Sequence, residues 1–270
     1  MTLPVLLEPD ELEAILDDES LIIVDLSTPN TFAANHIPNA LPLPYADLVH
    51  GEKPAPGLLP EVSRLSRVCS HIGLAADRHV VAYDDEGGGR ASRLLWTLHV
   101  LGHANASVLN GGIQAWTMEG HPVTRNIRAS VGSNYTARPG DTAIADKDYV
   151  VARLQNPQVA LLDARTPEEF AGVNVRALRG GHIPGARNLN WLDTIDRSRN
   201  LRLKPAIELQ NMLERLELTP DKEIITYCQT HHRSSHSYLM LKALGYPQVR
   251  GYAGSWSEWG NRTDTPVEVG

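Results

Sequence analysis

The sequence predicts an α/β protein built from two copies of one domain, each with a mostly parallel central sheet flanked by helices. The chain repeats itself once over its 270 residues. Leu21-Ile22-Ile23-Val24-Asp25 is answered by Val159-Ala160-Leu161-Leu162-Asp163, and Thr28-Pro29 with Phe32 by Thr166-Pro167 with Phe170. Val80-Val81-Ala82-Tyr83 is answered by Ile224-Ile225-Thr226-Tyr227, and Pro122-Val123 by Pro266-Val267. So many matches in one order mark a duplication. Within each copy, short apolar β-prone runs alternate with longer helical patterns, which implies parallel strands joined by helical crossovers.

Leu21–Asp25, Val80–Tyr83 and Val108–Asn110 read as buried strands, being apolar on both faces. Ala91–Leu101 reads as a helix, with Leu94, Leu95, Leu98 and Leu101 at helical spacing. Ile207–Leu216 and Ser235–Leu244 read as helices by the same test. The polar stretch leading to Ala145, rich in Gly, Ser, Asn and Pro, has no sustained period and reads as a linker. The expected organisation is a first domain over 1–124, a linker over 125–145 and a second domain over 146–270.

Composition narrows the class. A formal charge of -7 argues against a nucleic-acid groove, which needs a concentrated basic face. No apolar run approaches the ~20 residues of a membrane helix. The amino terminus lacks the basic start of a secretion signal. Two cysteines, one in a reactive setting, fit a reducing compartment. The expectation is a soluble cytoplasmic monomer, with no nucleic-acid or membrane partner.

The chemistry concentrates in Ile224-Ile225-Thr226-Tyr227-Cys228-Gln229-Thr230-His231-His232-Arg233-Ser234-Ser235. A strand delivers Cys228 into a short polar loop, and Arg233 closes that loop just before a helical pattern begins. The amides that open a helix carry partial positive charge and stabilise a thiolate. Arg233 adds a full charge, and His231 and His232 add more when protonated. Cys228 is therefore read as a nucleophile. The other thiol, Cys69, ends an apolar helical stripe and reads as packing. With only two cysteines, neither a zinc cluster nor a disulfide framework is available.

A strand, then Cys-x-x-x-x-Arg, then a helix resembles the active-site loop of the rhodanese family, sulfurtransferases that carry a persulfide on that cysteine. Asp163-Ala164-Arg165, Gly181-His182-Ile183-Pro184-Gly185-Ala186 and Gly254-Ser255-Trp256 resemble further signatures of the family. First-half counterparts to most of these extend the likeness over nearly the whole chain, as in tandem thiosulfate:cyanide sulfurtransferases. The resemblance implies two rhodanese-like domains, and transfer of the outer sulfur of thiosulfate to cyanide or another thiophile by double displacement. It implies no metal and no organic cofactor, because the sulfur rides on Cys228. The first copy has Asp84 where the second has Cys228, within a loop longer by one residue, which implies a silent first domain.

The resemblance assigns substrate binding to Gln229, Thr230, His231, His232, Arg233, Arg165 and Trp191, and an orienting role to Asp163 and Ser234. From the residues alone, Arg165 could equally form a structural ion pair with Asp163, and Trp191 could equally be a packed aromatic. His182 reads as structural, tying a loop to the next strand. Related phosphatases carry one more residue between cysteine and arginine, so the four residues between Cys228 and Arg233 favour sulfur over phosphate. The loop matches neither the Arg-Lys of mammalian-type thiosulfate enzymes nor the Gly-Ser-Gly of mercaptopyruvate enzymes. The family arginine four residues beyond Arg165 is here Glu169. A mercaptopyruvate sulfurtransferase and a sulfur-delivery or docking module remain the alternatives.

Overall fold

The computed structural model describes residues 3–270. In chain order the first copy contains β1 (Leu6–Leu7), α1 (Pro9–Glu13), β2 (Leu21–Asp25), α2 (Pro29–Ala34), β3 (Leu41–Pro42), α3 (Val62–His71), β4 (His79–Tyr83), α4 (Gly89–Val100), β5 (Ala106–Leu109) and α5 (Gly112–Met118). The second contains β6 (Ile144–Ala145), α6 (Lys147–Val151), β7 (Val159–Asp163), α7 (Pro167–Phe170) and β8 (Arg187–Asn188). A short antiparallel hairpin follows, β9 (Ile195–Asp196) with β10 (Arg202–Leu203). The chain closes with α8 (Ala206–Arg215), β11 (Glu223–Tyr227), α9 (Arg233–Ala243), β12 (Val249–Tyr252) and α10 (Ser255–Trp259).

Each copy forms a five-stranded parallel sheet of the same order, β1-β5-β4-β2-β3 and β6-β12-β11-β7-β8. The duplication holds to the level of single hydrogen bonds. Asp25 pairs in register with Tyr83, and Asp163 with Tyr227. The Ile37 amide donates to the Tyr83 hydroxyl at 3.1 Å, and the Ile183 amide to that of Tyr227 at 3.2 Å. His36 and His182 each bond through Nδ1 to a phenylalanine carbonyl at 2.9 Å and stack on that phenylalanine's ring. His182 is thus a structural tie. Each copy also buries a tryptophan, Trp116 or Trp259, whose Nε1 donates to a proline carbonyl at 2.7 Å.

The elements start and stop for local reasons. Thr28 and Thr166 cap α2 and α7 with a proline at the first helical turn, and Thr166 with Glu169 forms a reciprocal capping box. Most expected boundaries shift by a residue or two, and three of the shifts matter here. β5 begins at Ala106 rather than Val108, because Ala106 and Ser107 already pair with β4. Ile144 and Ala145, inside the expected linker, pair with β12 as the edge strand β6. Arg233 is the first residue of α9 and not the last of the loop before it.

The chain divides into two compact units. One comprises the residues up to Leu48 with Pro60–Gly140 and Ile195–Leu203; the other comprises Val49–Leu59, Asp141–Thr194 and Lys204–Gly270. In the first, Arg202 of the hairpin forms ion pairs with Glu8 at 2.9 Å and with Glu119. In the second, Val49–Leu59 joins the copy that carries Cys228. No helix among the described residues is long and apolar enough to cross a membrane.

Candidate active site

Cys228 follows β11 at the carboxyl edge of the second sheet, where open parallel sheets place their ligand crevice. Its backbone is pinned from behind. The Cys228 amide donates to Ser255 Oγ at 3.3 Å, and the Cys228 and Gln229 carbonyls accept from the amides of Trp256 and Ser257 at 2.9 and 3.0 Å. With its back fixed, the loop must turn sharply to enter α9. It does so at His231, buried and held at φ 54°, which only tight tertiary support stabilises in a non-glycine residue. His232 then returns to the right-handed region. Such a left-to-right pair turns successive amides inward into an anion-binding concavity. His231 Nδ1 and Ser234 Oγ lie 2.7 Å apart, and the Ser235 hydroxyl donates to the His231 carbonyl at 2.5 Å.

The thiol of Cys228 is 1% exposed. Burial pushes its pKa up. The charge of Arg233, the Ser234 hydroxyl, and the amides of Ser234 and Thr230 together outweigh that effect and bring it below the ordinary thiol value. Cys69 on α3 shows burial alone: without such partners its pKa is pushed up to about 12. The two cysteines are opposites. One thiol is drawn down by its surroundings and the other is pushed up by them.

Arg233 is held by Glu169, whose carboxylate accepts from both ends of the guanidinium fork at 2.6 and 3.0 Å. Arg176 approaches the same carboxylate through Nε at 3.4 Å. Despite its burial, the Glu169 pKa is drawn down by its bonds to Arg233, with Thr166 and Arg176 adding to the effect. Sequence reasoning noted Glu169 as a departure and missed its role. The available signal was the capping box, which fixes this carboxylate at the carboxyl edge of the sheet. Opposite shifts should follow from two changes. Arg233→Ala should raise the pH midpoint for alkylation of Cys228, and Glu169→Gln should lower it by leaving Arg233 unneutralised. Equal midpoints would show that amides and hydroxyls alone set the thiol.

The other expected residues separate. Arg165 is 1% exposed, and its guanidinium grips Asp163 at 2.6 and 3.0 Å while donating to the Gly181 carbonyl at 2.8 Å. It also lies over the Trp256 ring, 4.6 Å from the centroid. This is the structural ion pair. Arg165 is therefore corrected from a substrate ligand to a buried partner of Asp163. Trp191 packs edge-on against His232 and His236, at 5.8 and 5.5 Å between ring centroids. Gln229 donates to the Arg176 carbonyl at 3.2 Å. Gln229 and Thr230 border a cavity of about 520 Å³ that Lys53, Pro54, Pro56, Arg176 and Leu178 also line. Gly57 abuts the loop here: a Cβ on it would meet the Thr230 carbonyl oxygen at 2.1 Å. Nothing in the local sequence around Gly57 signals this approach. Among the described residues, no cluster of His, Cys, Asp or Glu could hold a metal ion.

A family model for the rhodanese-like domain matches this chain twice, over residues 8–119 and 146–262. The chain belongs to the rhodanese family. A thiosulfate sulfurtransferase of Azotobacter vinelandii is 45% identical over 268 residues, covering 99% of this chain and 98% of that protein. One from Pseudomonas aeruginosa is 45% identical over 267 residues, with the same coverage. The sulfur carrier protein TtuD of Thermus thermophilus is 35% identical over 218 residues, 76% of each chain. The anaerobic ergothioneine biosynthesis enzyme of Chlorobium limicola, solved with trimethyl histidine, superposes with a TM-score of 0.88 at 20% identity, covering 98% of this chain and 70% of that one. That last likeness is one of fold.

The first rhodanese-like repeat has the same strand, loop and helix, filled differently. Asp84 turns its carboxylate into the loop and accepts from the amides of Glu86, Gly88 and Ala91 at 3.0, 2.8 and 2.9 Å. Gly87 and Gly88 supply the positive φ that His231 supplies in the second repeat. Arg90, the counterpart of Arg233, pairs with Asp85 at 2.9 Å and Glu86 at 3.2 Å. The acidic residue that the sequence places at the position of Cys228 does more than replace a thiol. Asp84 itself occupies the cradle, where burial and the neighbouring Glu86 push its pKa up against the pull of the three amides.

Proposed function

We propose that this chain moves the outer sulfur of thiosulfate to a thiophile through a persulfide on Cys228. The observation that carries the reading is a buried thiol held below its ordinary pKa by Arg233, the Ser234 hydroxyl and inward-facing amides. In the first step the Cys228 thiolate attacks the outer sulfur. The sulfur–sulfur bond of thiosulfate breaks, its electron pair leaves with sulfite, and a cysteine persulfide anion remains. The same amides and hydroxyls then face the terminal sulfur, one atom further out. In the second step cyanide attacks that sulfur and the Cys228 thiolate departs, giving thiocyanate; a thiol acceptor takes the sulfur in the same way. No net oxidation occurs, so the reaction as written requires neither metal nor organic cofactor. Relatives named thiosulfate sulfurtransferase along their whole length support thiosulfate as donor.

The first repeat is silent in this scheme. It lacks a thiol at the corresponding position, and Asp84 fills the space that a substrate anion would need. The relative named as a sulfur carrier protein favours one second reading, in which the persulfide is handed to a protein acceptor.

Intact mass after thiosulfate treatment should rise by one sulfur atom, located on the peptide containing Cys228, and cyanide should remove it. Sulfur found on the Cys69 peptide would overturn the assignment. Steady-state rates with thiosulfate and with mercaptopyruvate decide the donor. Ready persulfide formation with negligible turnover to small acceptors would favour the carrier reading.

A further inference from the structure

Of the four residues between Cys228 and Arg233, His231 alone is buried, at 0% exposed. Its imidazole therefore meets the protein and not an incoming molecule. The backbone carries it at φ 54°, and the Ser235 hydroxyl secures its carbonyl at 2.5 Å. A side chain this large is uncommon in the left-handed region and stays there only where its surroundings hold it. What the imidazole reaches from that position is Ser234. Nδ1 lies 2.7 Å from Ser234 Oγ, a hydrogen bond of full strength between residues that are each 0% exposed.

Ser234 has a second obligation. Its hydroxyl is among the groups that stabilise the Cys228 thiolate. A serine hydroxyl has one hydrogen to donate and two lone pairs with which to accept, whereas a thiolate only accepts. While the hydroxyl serves the sulfur, its hydrogen points at Cys228. The contact with His231 is then a bond only if Nδ1 carries a hydrogen of its own. A ring with its hydrogen on Nε2 alone would make Nδ1 an acceptor and draw the Ser234 hydrogen away from the sulfur. The first repeat lacks both partners together. There Gly88 stands for His231 and Ala91 for Ser234, and the carboxylate of Asp84 takes the place of the sulfur.

We propose that His231 is a positioning residue, whose Nδ1–H donates to Ser234 Oγ and thereby keeps the Ser234 hydrogen on the sulfur of Cys228, first as thiolate and then as persulfide. The persulfide half of the inference rests on the sulfurtransferase reading above; the thiolate half rests on the loop alone. Donation into Oγ polarises the hydroxyl and strengthens the bond it makes to sulfur. A hydroxyl already oriented has no reorganisation to undergo as charge moves between the two sulfurs. The unusual backbone of His231 gains a reason: it brings an imidazole beneath the hydroxyl, where a right-handed residue would carry its side chain elsewhere.

Ring-nitrogen NMR of isotope-labelled histidine reads the hydrogen directly in the unaltered protein. At a pH where Cys228 is a thiolate, the His231 signal, identified by its loss in His231→Asn, should show a hydrogen on Nδ1. A hydrogen on Nε2 alone would overturn the proposal. Iodoacetamide alkylation against pH, in a Cys69→Ser background, gives an independent reading. Ser234→Ala should raise the Cys228 midpoint by on the order of one pH unit. Glycine and asparagine both tolerate the left-handed backbone, but only asparagine puts an N–H near the place of Nδ1. His231→Gly should therefore raise the midpoint, and His231→Asn should keep it near that of the parent. Added to Ser234→Ala, His231→Gly should change nothing further, because the hydroxyl it orients is gone. Equal shifts in the glycine and asparagine variants, or a glycine effect that persists without Ser234, would mean that His231 only shapes the turn. Arg233, Glu169 and Arg176, the charged groups about the loop, are unaltered throughout. Neither measurement uses a sulfur donor, so both results in a protein that does not turn over thiosulfate would uphold the positioning role and sink the donor assignment instead.

Discussion

Asp163→Ala is expected to cost about 3–5 kcal/mol of stability, because it strands Arg165 as an unpaired charge in the core of the second unit. Asp163 and Arg165 are 0% and 1% exposed, and their pair is closed by contacts at 2.6 and 3.0 Å. A guanidinium cannot escape by losing its proton. The reverse change should be milder. Arg165→Ser leaves a buried carboxylate, which can take up a proton, and the first repeat already has that arrangement. There Ser27 occupies the position of Arg165, and burial raises the pKa of Asp25. Asp163 in the variant should behave likewise, with its folded-state pKa above the unfolded value. The cost of Arg165→Ser should therefore be small below the unfolded carboxyl pKa of about 4 and grow as pH rises above it. Urea midpoints measured for both variants at pH 4 and pH 7 check the ordering. Equal losses for the two single changes would refute the buried-charge account.

Gly57→Ala should reduce kcat/KM on the order of a hundredfold while leaving most of the fold in place. The added methyl would lie 2.1 Å from the Thr230 carbonyl oxygen, 2.6 Å from its carbon and 2.9 Å from the Ala253 carbonyl oxygen. All three are backbone atoms, so no side chain can turn aside. Either the Val49–Leu59 stretch lifts from the loop or the loop shifts around Thr230, whose amide is among the groups stabilising the Cys228 thiolate. The alkylation midpoint of Cys228 should rise together with the loss of turnover. Turnover within twofold of wild type would mean that the loop holds its shape without this contact.

The sequence by itself determined the architecture and singled out the candidate nucleophile, for a reason that is local in both cases. Apolar β-prone runs repeating in order specify paired parallel sheets, since a strand buried on both faces has few other solutions. Asp163 and Tyr227 could be equated with Asp25 and Tyr83 from the repeat alone, and the register agrees, each Asp pairing with the Tyr of its own sheet. Cys228 was legible because strand, loop and helix are contiguous, so the amides and the cation that act on its thiol lie within six residues of it. What surrounds that loop was not legible. Glu169 on Arg233, Arg165 on Asp163 rather than on a substrate, and Gly57 against Thr230 are each decided by packing. Glu169 and Gly57 are brought to the loop across long stretches of chain, and the choice between two readings of Arg165 depended on whether water or Asp163 reached it. Asp84 makes the same point in the first repeat. The sequence showed an acid where a thiol was wanted, but only the folded loop made that acid the occupant of its own cradle, because a buried carboxyl needs hydrogen-bond partners and the converging amides are the donors within reach.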